Sequence, residues 1–530
     1  LSKDRTYDYV IVGAGSAGCV LAGRLSEDPG VRVALVESGP RDRKSEIRIP
    51  AAFPKLFKTA YDWDYATCEQ PGLDARELYW PRGHTLGGSS SINAMMWVRG
   101  HRDDYDAWGE AAGEEWGHDR LVPYFRRAER WHGAPGEDSA HGRLGPLHIS
   151  PPRDPNPTTA AFLDACRAQG LKELGELNEP DHSGFALTPL NQYKGRRWSA
   201  ADGYLKPAAR RPNLDIHTDA RVTRIDFDGT RAAGVVAEGV TAGVLRATRE
   251  VILAAGAIGS PHLLQQAGIG DPDDLAAAGI ETRVASPDVG RRLQDHLSYA
   301  VTVRTPHPVS LTGADTPANI ARFLLRGRGP LTSNVGEAVA FVATRPELAA
   351  PDIELIYAPV PFIGHGLTPP TEHGLTVGVV LLQPRSSGRI TPTGAGAGAA
   401  PRIDPGYLTD EEDLRTLIAG VRRAEELFDD PALRPLRSAP MGGYPGVVDD
   451  AALAAAIRAG AETLYHPVGT CRMGADPDAV TDPKLRVRGV EALRVVDASV
   501  MPRITRGHTH APTVALAERA VELIREDARA

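Results

Sequence analysis

The sequence predicts an α/β fold, α+β overall, in which a parallel, Rossmann-like layer is interleaved with a layer of antiparallel sheet plus helices. Three observations predict it. An apolar run at residues 7–12 ends in Gly13-Ala14-Gly15-Ser16-Ala17-Gly18 and continues with helical spacing. Short apolar runs of the same kind return far downstream, at residues 250–255 and 494–497, so one layer is assembled from distant pieces. Between them, residues 300–450 alternate strand-like runs with loops and helical stretches.

The elements follow in order. Residues 7–12 read as a strand, Ser16–Leu25 as a helix and residues 31–37 as a second strand, a β-turn-α-β unit of about 30 residues. Residues 38–110, rich in Gly, Pro and aromatics, read as loops wrapped over something. Residues 220–227 form a strand that pairs with 235–238, and 250–255 form a strand ending in Gly256. Residues 352–358 and 375–382 read as strands of the second layer, and 391–401, rich in Gly and Ala, as a flexible loop. Residues 410–428 and 449–459 are helical by period, and 513–527 form a closing helix. No internal repeat is present.

A chain of 530 residues has room for two or more domains with sizeable cores. At 42% hydrophobic and 24% charged it reads as soluble and globular. A formal charge of -8 argues against a nucleic-acid partner, and the arginines are scattered among acids rather than gathered in a patch along the sequence. No apolar run approaches the roughly 18–20 residues of a membrane span. The polar first residues lead directly into a strand, so no signal peptide is legible. Cys19, Cys68, Cys166 and Cys471 show no metal or disulfide spacing, and a reducing, cytoplasmic setting is expected.

The glycine pattern has a mechanical reading. Gly13 permits the tight turn after the strand, Gly15 lets backbone approach a pyrophosphate, and Gly18 lets helix pack on strand. The helix opening at Ser16 and Ala17 offers free N–H groups and a positive dipole end to phosphates. Glu37 ends the next strand, where it suits both hydroxyls of an adenosine ribose and disfavours a 2′-phosphate, hence NADP. A chance glycine turn is the bland alternative; the strand before, the helix after and the acid beyond outweigh it. The pattern alone leaves NAD and FAD both open.

A second segment narrows that choice. Arg82-Gly83-His84-Thr85-Leu86-Gly87-Gly88-Ser89-Ser90-Ser91-Ile92-Asn93, Gly256-Ala257-Ile258-Gly259-Ser260-Pro261, Leu293-Gln294-Asp295-His296, His466-Pro467-Val468-Gly469-Thr470-Cys471 and Val496-Asp497-Ala498-Ser499 resemble, in order and over nearly the whole chain, the motifs of the glucose–methanol–choline oxidoreductase family. Within that family the chain resembles choline dehydrogenase-like and aromatic alcohol oxidase-like members. The resemblance implies FAD bound in an extended form. It implies a discontinuous FAD-binding domain (1–155, 206–300, 451–530) and a substrate-binding domain (156–205, 301–450). Gly13, Gly15, Ser16, Ala17, Gly18 and Glu37 would hold the ADP half, and Val222 the adenine through its backbone. Gly87, Gly88, Ser91, Asn93 and Ala94 would line the pyrophosphate and flavin, with Ala255 and Gly256 in the same cofactor set. Asp497 and Ala498 would touch the ribityl-pyrophosphate region, and the helix opening at Pro512 and Thr513 would point at the flavin's pyrimidine edge. Some relatives attach flavin covalently through a His before the Asn of the first motif; here Ile92 stands there, so non-covalent FAD is expected. His508 and His510 stand where choline dehydrogenase-like members carry Asn.

The implied chemistry is oxidation of an alcohol to an aldehyde or ketone, with O2 or another electron acceptor. Such a reaction needs a positioned base, and imidazole titrates in the right range. By the resemblance, His466 is the base and His510 its partner on the substrate oxygen, with Asn93 at the floor. A structural His466 capping the turn before Pro467 is the plainer alternative. His508 is expected behind His510. No acid motif accompanies His466, His508 and His510 as a metal set, so no metal is expected. His296 is expected to be packed and hydrogen-bonded. Asn334 and Glu337 are candidates for the cavity border, Met95, Leu464 and Tyr465 for its walls, and residues 61–65 for a packed loop over the flavin. A flavin-containing lyase acting on hydroxynitriles without net redox is the second reading of the same histidines.

Overall fold

The computed structural model describes residues 5–134, 140–240, 243–396 and 398–529. Residues 1–4 of the polar N-terminal stretch and residue 397 of the expected flexible loop lie outside them.

The opening strand Arg5–Val12 is buried at Tyr7 and from Tyr9 to Val12, a near-continuous apolar run because helices cover both faces of a parallel sheet. It pairs in parallel with Val33–Val36 on one side and with Gly243–Leu253 on the other; Leu214–His217 extends the first edge. The long strand Gly243–Leu253 changes partner along its length. Its first residues pair antiparallel with Arg231–Gly239, which hairpins with Ala220–Asp228. Its last three, Val251 to Leu253, pair in parallel with Leu493–Val495. This switch lets a strand from the C-terminal part of the chain enter the first layer. The helix Ser16–Leu25 packs on the closing helix His510–Asp527. Arg24 and the Tyr204 hydroxyl (2.7 Å) both donate to the fully buried Glu518 of that helix.

The second layer is an antiparallel sheet in the order Pro440–Met441, Leu297–Arg304, Gly374–Leu381, Ile353–Ala358, Ala338–Val342, Gly184–Leu187. Period-2 alternation divides its residues. Tyr299, Val301, Leu355, Tyr357, Val377 and Val379 face a core completed by Leu417, Val421, Ala424 and Phe428 of the helix Glu411–Asp429. Each such side chain contributes about 1.5–3 kcal/mol by leaving water. The alternate row, Ser298, Ala300, Ile356, Ala358, Thr376 and Gly378, lines the central cavity instead. A one-residue slip would exchange the two rows, so the core on one face holds the register of the wall on the other.

The expected elements are present, with shifted limits. The closing helix begins at His510, three residues before the expected 513, because Pro512 is tolerated in a first turn whose N–H groups need no helical partner. The 391–401 segment joins two paired strands, Gly388–Pro392 and Pro401–Asp404. The boundary expected at 300 falls inside the strand Leu297–Arg304. Glu462–Thr463 pairs with that strand, and Asp450–Gly460 packs Leu453 and Ile457 into the second core.

Candidate active site

The glycine turn is built by close contact. Gly13 has φ +99, and a Cβ there would lie 2.5 Å from the Ala254 carbonyl oxygen; a Cβ on Gly18 would lie 1.8 Å from that of Gly13. Gly15 is different: nothing lies nearer its Cβ position than 4.0 Å, so what demands a bare backbone there is the cavity it lines. The helix Ser16–Leu25 starts without a side-chain cap, which leaves first-turn N–H groups directed at a cavity lined by Gly13, Gly15, Ser16 and Ala17. Glu37 is pinned from both sides: Oε2 accepts from Ala14 N and Oε1 from Gly39 N, each at 2.8 Å. Burial pushes its pKa up, against the pull of those backbone donors.

The second glycine motif lies directly on the first. Gly87 N donates to Ala14 O at 2.8 Å, and a Cβ on Gly88 would meet Gly15 Cα at 2.7 Å. Asp497 closes the other side; Oδ2 accepts from Gly256 N (2.9 Å) and Ser260 Oγ (2.5 Å), and Oδ1 from Ser499 N (2.8 Å). Ala255, Gly256, Asp497 and Ala498 thereby line one wall, Asn93 and Ala94 another, and Val222 with Arg221 the far end, where Trp63 stacks on Tyr65. Thr513 lines the wall at the closing helix. Gly18, Gly87, Ser91 and Pro512, expected to contact the cofactor, are not among the lining residues. Ser91 Oγ is taken by Leu86 O at 2.7 Å, and these four shape the wall rather than face the cavity.

The cavity encloses about 790 Å³ and brings together His466, His508 and His510. The Asp295-His296 pair explains how His466 is held. Asp295 Oδ1 accepts from His466 N at 2.6 Å, while His466 Nδ1 and His296 Nδ1 are 2.9 Å apart. The His296 Nε2 lies 3.0 Å from the Leu382 carbonyl, which only accepts, so this nitrogen carries the proton. Burial lowers the His296 pKa to about 3, and burial with the nearby His508 lowers that of His466 well below its ordinary value. Both rings are therefore neutral. His296 Nδ1 accepts, His466 Nδ1 donates, and His466 Nε2 is left bare.

The two candidate partners separate. The His508 ring lies 4.8 Å from that of His466, and its Nε2 donates to Glu354 at 3.0 and 3.2 Å. His510 instead turns Nδ1 to Ser16 Oγ at 2.9 Å and sets its ring edge-on to Trp97. His510 was expected as the partner of His466 on the substrate oxygen; the imidazole that packs against the His466 ring is that of His508, while His510 also lines the cavity. Alternate residues share a side only in extended backbone, and the chain turns into a helix at His510. Glu354, absent from the expectations, sits on the cavity side of Ile353–Ala358 by alternation with Ile356 and Ala358. Its only signal is an acid within an otherwise buried strand. Arg197 also escaped notice. It is buried, donates from Nη1 to Asn93 Oδ1 (2.7 Å) and Ser90 O (3.1 Å), and burial lowers its pKa to about 9.

Part of the cavity wall is apolar, formed by Phe53, Phe57, Met95, Met96, Phe362 and Leu464, whereas Glu37, Asn93, Arg221 and Asp497 line other parts. One polar chain crosses it. The Tyr465 hydroxyl donates to His365 Nδ1 at 2.6 Å, His365 Nε2 lies 3.3 Å from Glu462, and Glu462 pairs with Arg76. Tyr465 (φ 69) and His365 (φ 61) both hold left-handed backbone, His365 between two left-handed glycines. Asn334 does border the cavity. Glu337 does not: it is used up by Asn156 N, Thr159 and Ser333.

The GMC oxidoreductase family model matches residues 7–298 and 384–517. This chain belongs to the GMC oxidoreductase family. It is 49% identical over 531 residues to an uncharacterized GMC-type oxidoreductase of Mycobacterium tuberculosis, covering 98% of this chain and 100% of that protein. It is 41% identical to an alcohol dehydrogenase [acceptor] of Pseudomonas putida, covering 98% and 95%. Among solved structures, pyridoxine 4-oxidase from Mesorbium loti superposes with a TM-score of 0.89 at 35% identity, covering 97% and 98%. This GMC oxidoreductase is an FAD-dependent enzyme of the class that acts on CH–OH donors. Its residues fit the cofactor: the glycine cradle, the uncapped helix, the pinned Glu37, and two buried polar atoms without a protein partner, His510 Nε2 and Arg197 Nη2, beside Ser16 and Asn93.

Proposed function

We propose that this GMC oxidoreductase oxidises a primary alcohol with an apolar or aromatic body to the aldehyde, with His466 as the base. One observation carries the reading: His466 lines the cavity and is linked through His296 to the Leu382 carbonyl, an acceptor that favours the tautomer with His466 Nε2 unprotonated. A neutral, bare imidazole nitrogen can take the hydroxyl proton of an alcohol seated against it. His508, at 4.8 Å and held by Glu354, is the second imidazole at the substrate oxygen, a place for which His510 was the expected occupant. His510 serves the cradle at Ser16 instead. FAD, when bound, supplies the acceptor for the hydride leaving the alcohol carbon. Ile92, packed among Ile47, Phe53, Leu56 and Phe57, offers no nucleophile, which supports non-covalent attachment. The aromatic and methionine walls favour a substrate with an apolar body, and the alcohol dehydrogenase and pyridoxine 4-oxidase relatives support an alcohol donor.

His466→Ala tests the assignment. It is expected to retain FAD and to slow anaerobic flavin reduction by a panel of alcohols about 10²–10⁴-fold. Near-normal reduction would remove His466 from the chemistry. Bleaching of the wild-type flavin by any alcohol in that panel also excludes a purely structural cofactor, and with it the lyase reading.

A further inference from the structure

The helix Pro317–Arg326 buries a single side chain, Phe323. Ile320, Leu324 and Leu325 are exposed, Leu325 at 83%. A ten-residue helix is marginal in water unless an apolar face is covered, and here most of that face is uncovered. The flanking elements repeat the pattern. The helix packs on Pro330–Thr332, which packs on Pro50–Leu56, and the loop carrying exposed Ile363 and Leu367 rests there through Phe362 against Phe53 (6.1 Å). Ile363 also lines the cavity, so this surface borders the cavity at that loop.

The same surface is basic on an acidic protein. Arg322 and Arg326 extend from the helix, Lys194 and Arg196 from the adjoining hairpin, and Arg48 from the turn that contacts it; all five are exposed. Arg196 stands 5.8 Å over the Phe323 ring. None of the five forms an ion pair with a described residue; the nearby acids are Glu46, Asp154, which pairs with Arg328 at 2.9 Å and holds Gly329 N beside Arg322, and Asp315, which faces Lys55 at 3.8 Å. These arginines and lysines are scattered in sequence and gathered only by the fold.

We propose that this face, with Ile320, Leu324, Leu325, Ile363 and Leu367 entering the acyl boundary and the surrounding cations meeting headgroups, docks the enzyme on an anionic bilayer surface. Exposed apolar residues on a short helix rimmed by Arg and Lys have the composition of interfacial helices. A second copy of the chain fits less well, because a two-fold contact would bring the five cations against themselves. The Ile363 side of the cavity would then face the lipid surface.

The test is flotation of the FAD-loaded enzyme, followed by flavin absorbance, with vesicles of phosphatidylcholine alone or mixed with phosphatidylglycerol. Sedimentation of the same sample reports its mass. Binding only to the phosphatidylglycerol vesicles is expected, weakened by salt, about fivefold for each arginine lost in Arg322→Ala and Arg326→Ala, and strongly by Leu324→Ser with Leu325→Ser. Absence of binding, equal binding to both vesicles, or binding unchanged in the leucine variant would overturn the proposal. A solution dimer converted to monomer by the leucine variant would assign the face to a second copy. Retained FAD and alcohol oxidation in these variants show that folding is intact.

Discussion

His466 Nδ1 and His296 Nδ1 lie 2.9 Å apart, and the Leu382 carbonyl beyond them decides which nitrogen carries the proton. A backbone carbonyl cannot donate, so the whole line is polarised toward a bare Nε2 on His466. His296→Ala would leave His466 free to adopt either tautomer. Flavin reduction is expected to slow about 10–10²-fold with FAD content unchanged. A wild-type rate in that variant would show that His296 only packs.

Glu354 is fully buried and gives both oxygens to His508. Glu354→Gln keeps the shape and removes the charge that orients this ring. A loss of about 10²-fold in kcat, with KM little changed, is expected if His508 acts on the developing alkoxide. A change in stability alone would leave Glu354 a core residue.

The Tyr465–His365 bond spans the apolar end of the cavity. Tyr465→Phe deletes the donor and leaves a buried ring nitrogen unpaired, costing about 1 kcal/mol. KM is expected to rise about fivefold while flavin reduction at saturating substrate holds, because His466 is fastened by Asp295 and His296, not by the Tyr465 ring. An effect on the limiting rate alone would contradict this division.

Gly15 and Gly18 are expected to fail differently. Gly18→Ala drives a methyl into the Gly13 carbonyl and should destabilise apoprotein and holoprotein alike by about 1–3 kcal/mol. Gly15→Ala has ordinary space within the protein and projects into the cavity. Its apoprotein should melt near wild type while FAD affinity drops. Thermal melts with and without FAD separate the two.

His182 is buried beside Phe341 outside the cavity, and burial, with His101 nearby, lowers its pKa to about 3. The unfolded chain takes up this proton near pH 6.5 and the folded chain does not. The stability penalty is therefore absent above pH 6.5 and grows as the pH falls toward 3. His182→Gln removes this site, so the difference in stability between pH 7.5 and pH 5 should shrink by about 2 kcal/mol in denaturant titrations. An unchanged difference would mean that His182 is solvated.

Much of the architecture was legible because it is local. The turn at Gly13, the helix Ser16–Leu25 and the acid at Glu37 occupy consecutive residues, and backbone sterics and ribose chemistry specify them without distant partners. The strands Ile353–Ala358 and Gly374–Leu381 were legible from apolar runs alone. The motif Leu293-Gln294-Asp295-His296 was visible too, but its purpose was not. Its two last side chains hold His466, which is 171 residues from Asp295.

What the sequence determined by itself was therefore the dinucleotide cradle, the family resemblance and the histidines available for chemistry. Tertiary structure alone decided which imidazole meets His466. His508 and His510 are one residue apart from being neighbours, and only the start of the closing helix turns one ring to Glu354 and the other to Ser16. The same holds for Glu354, Arg197 and the basic apolar face. Each depends on residues brought together across strands and loops, and a side chain's partners at such separations are set by the packing that closes the loops between them, not by the spacing along the chain.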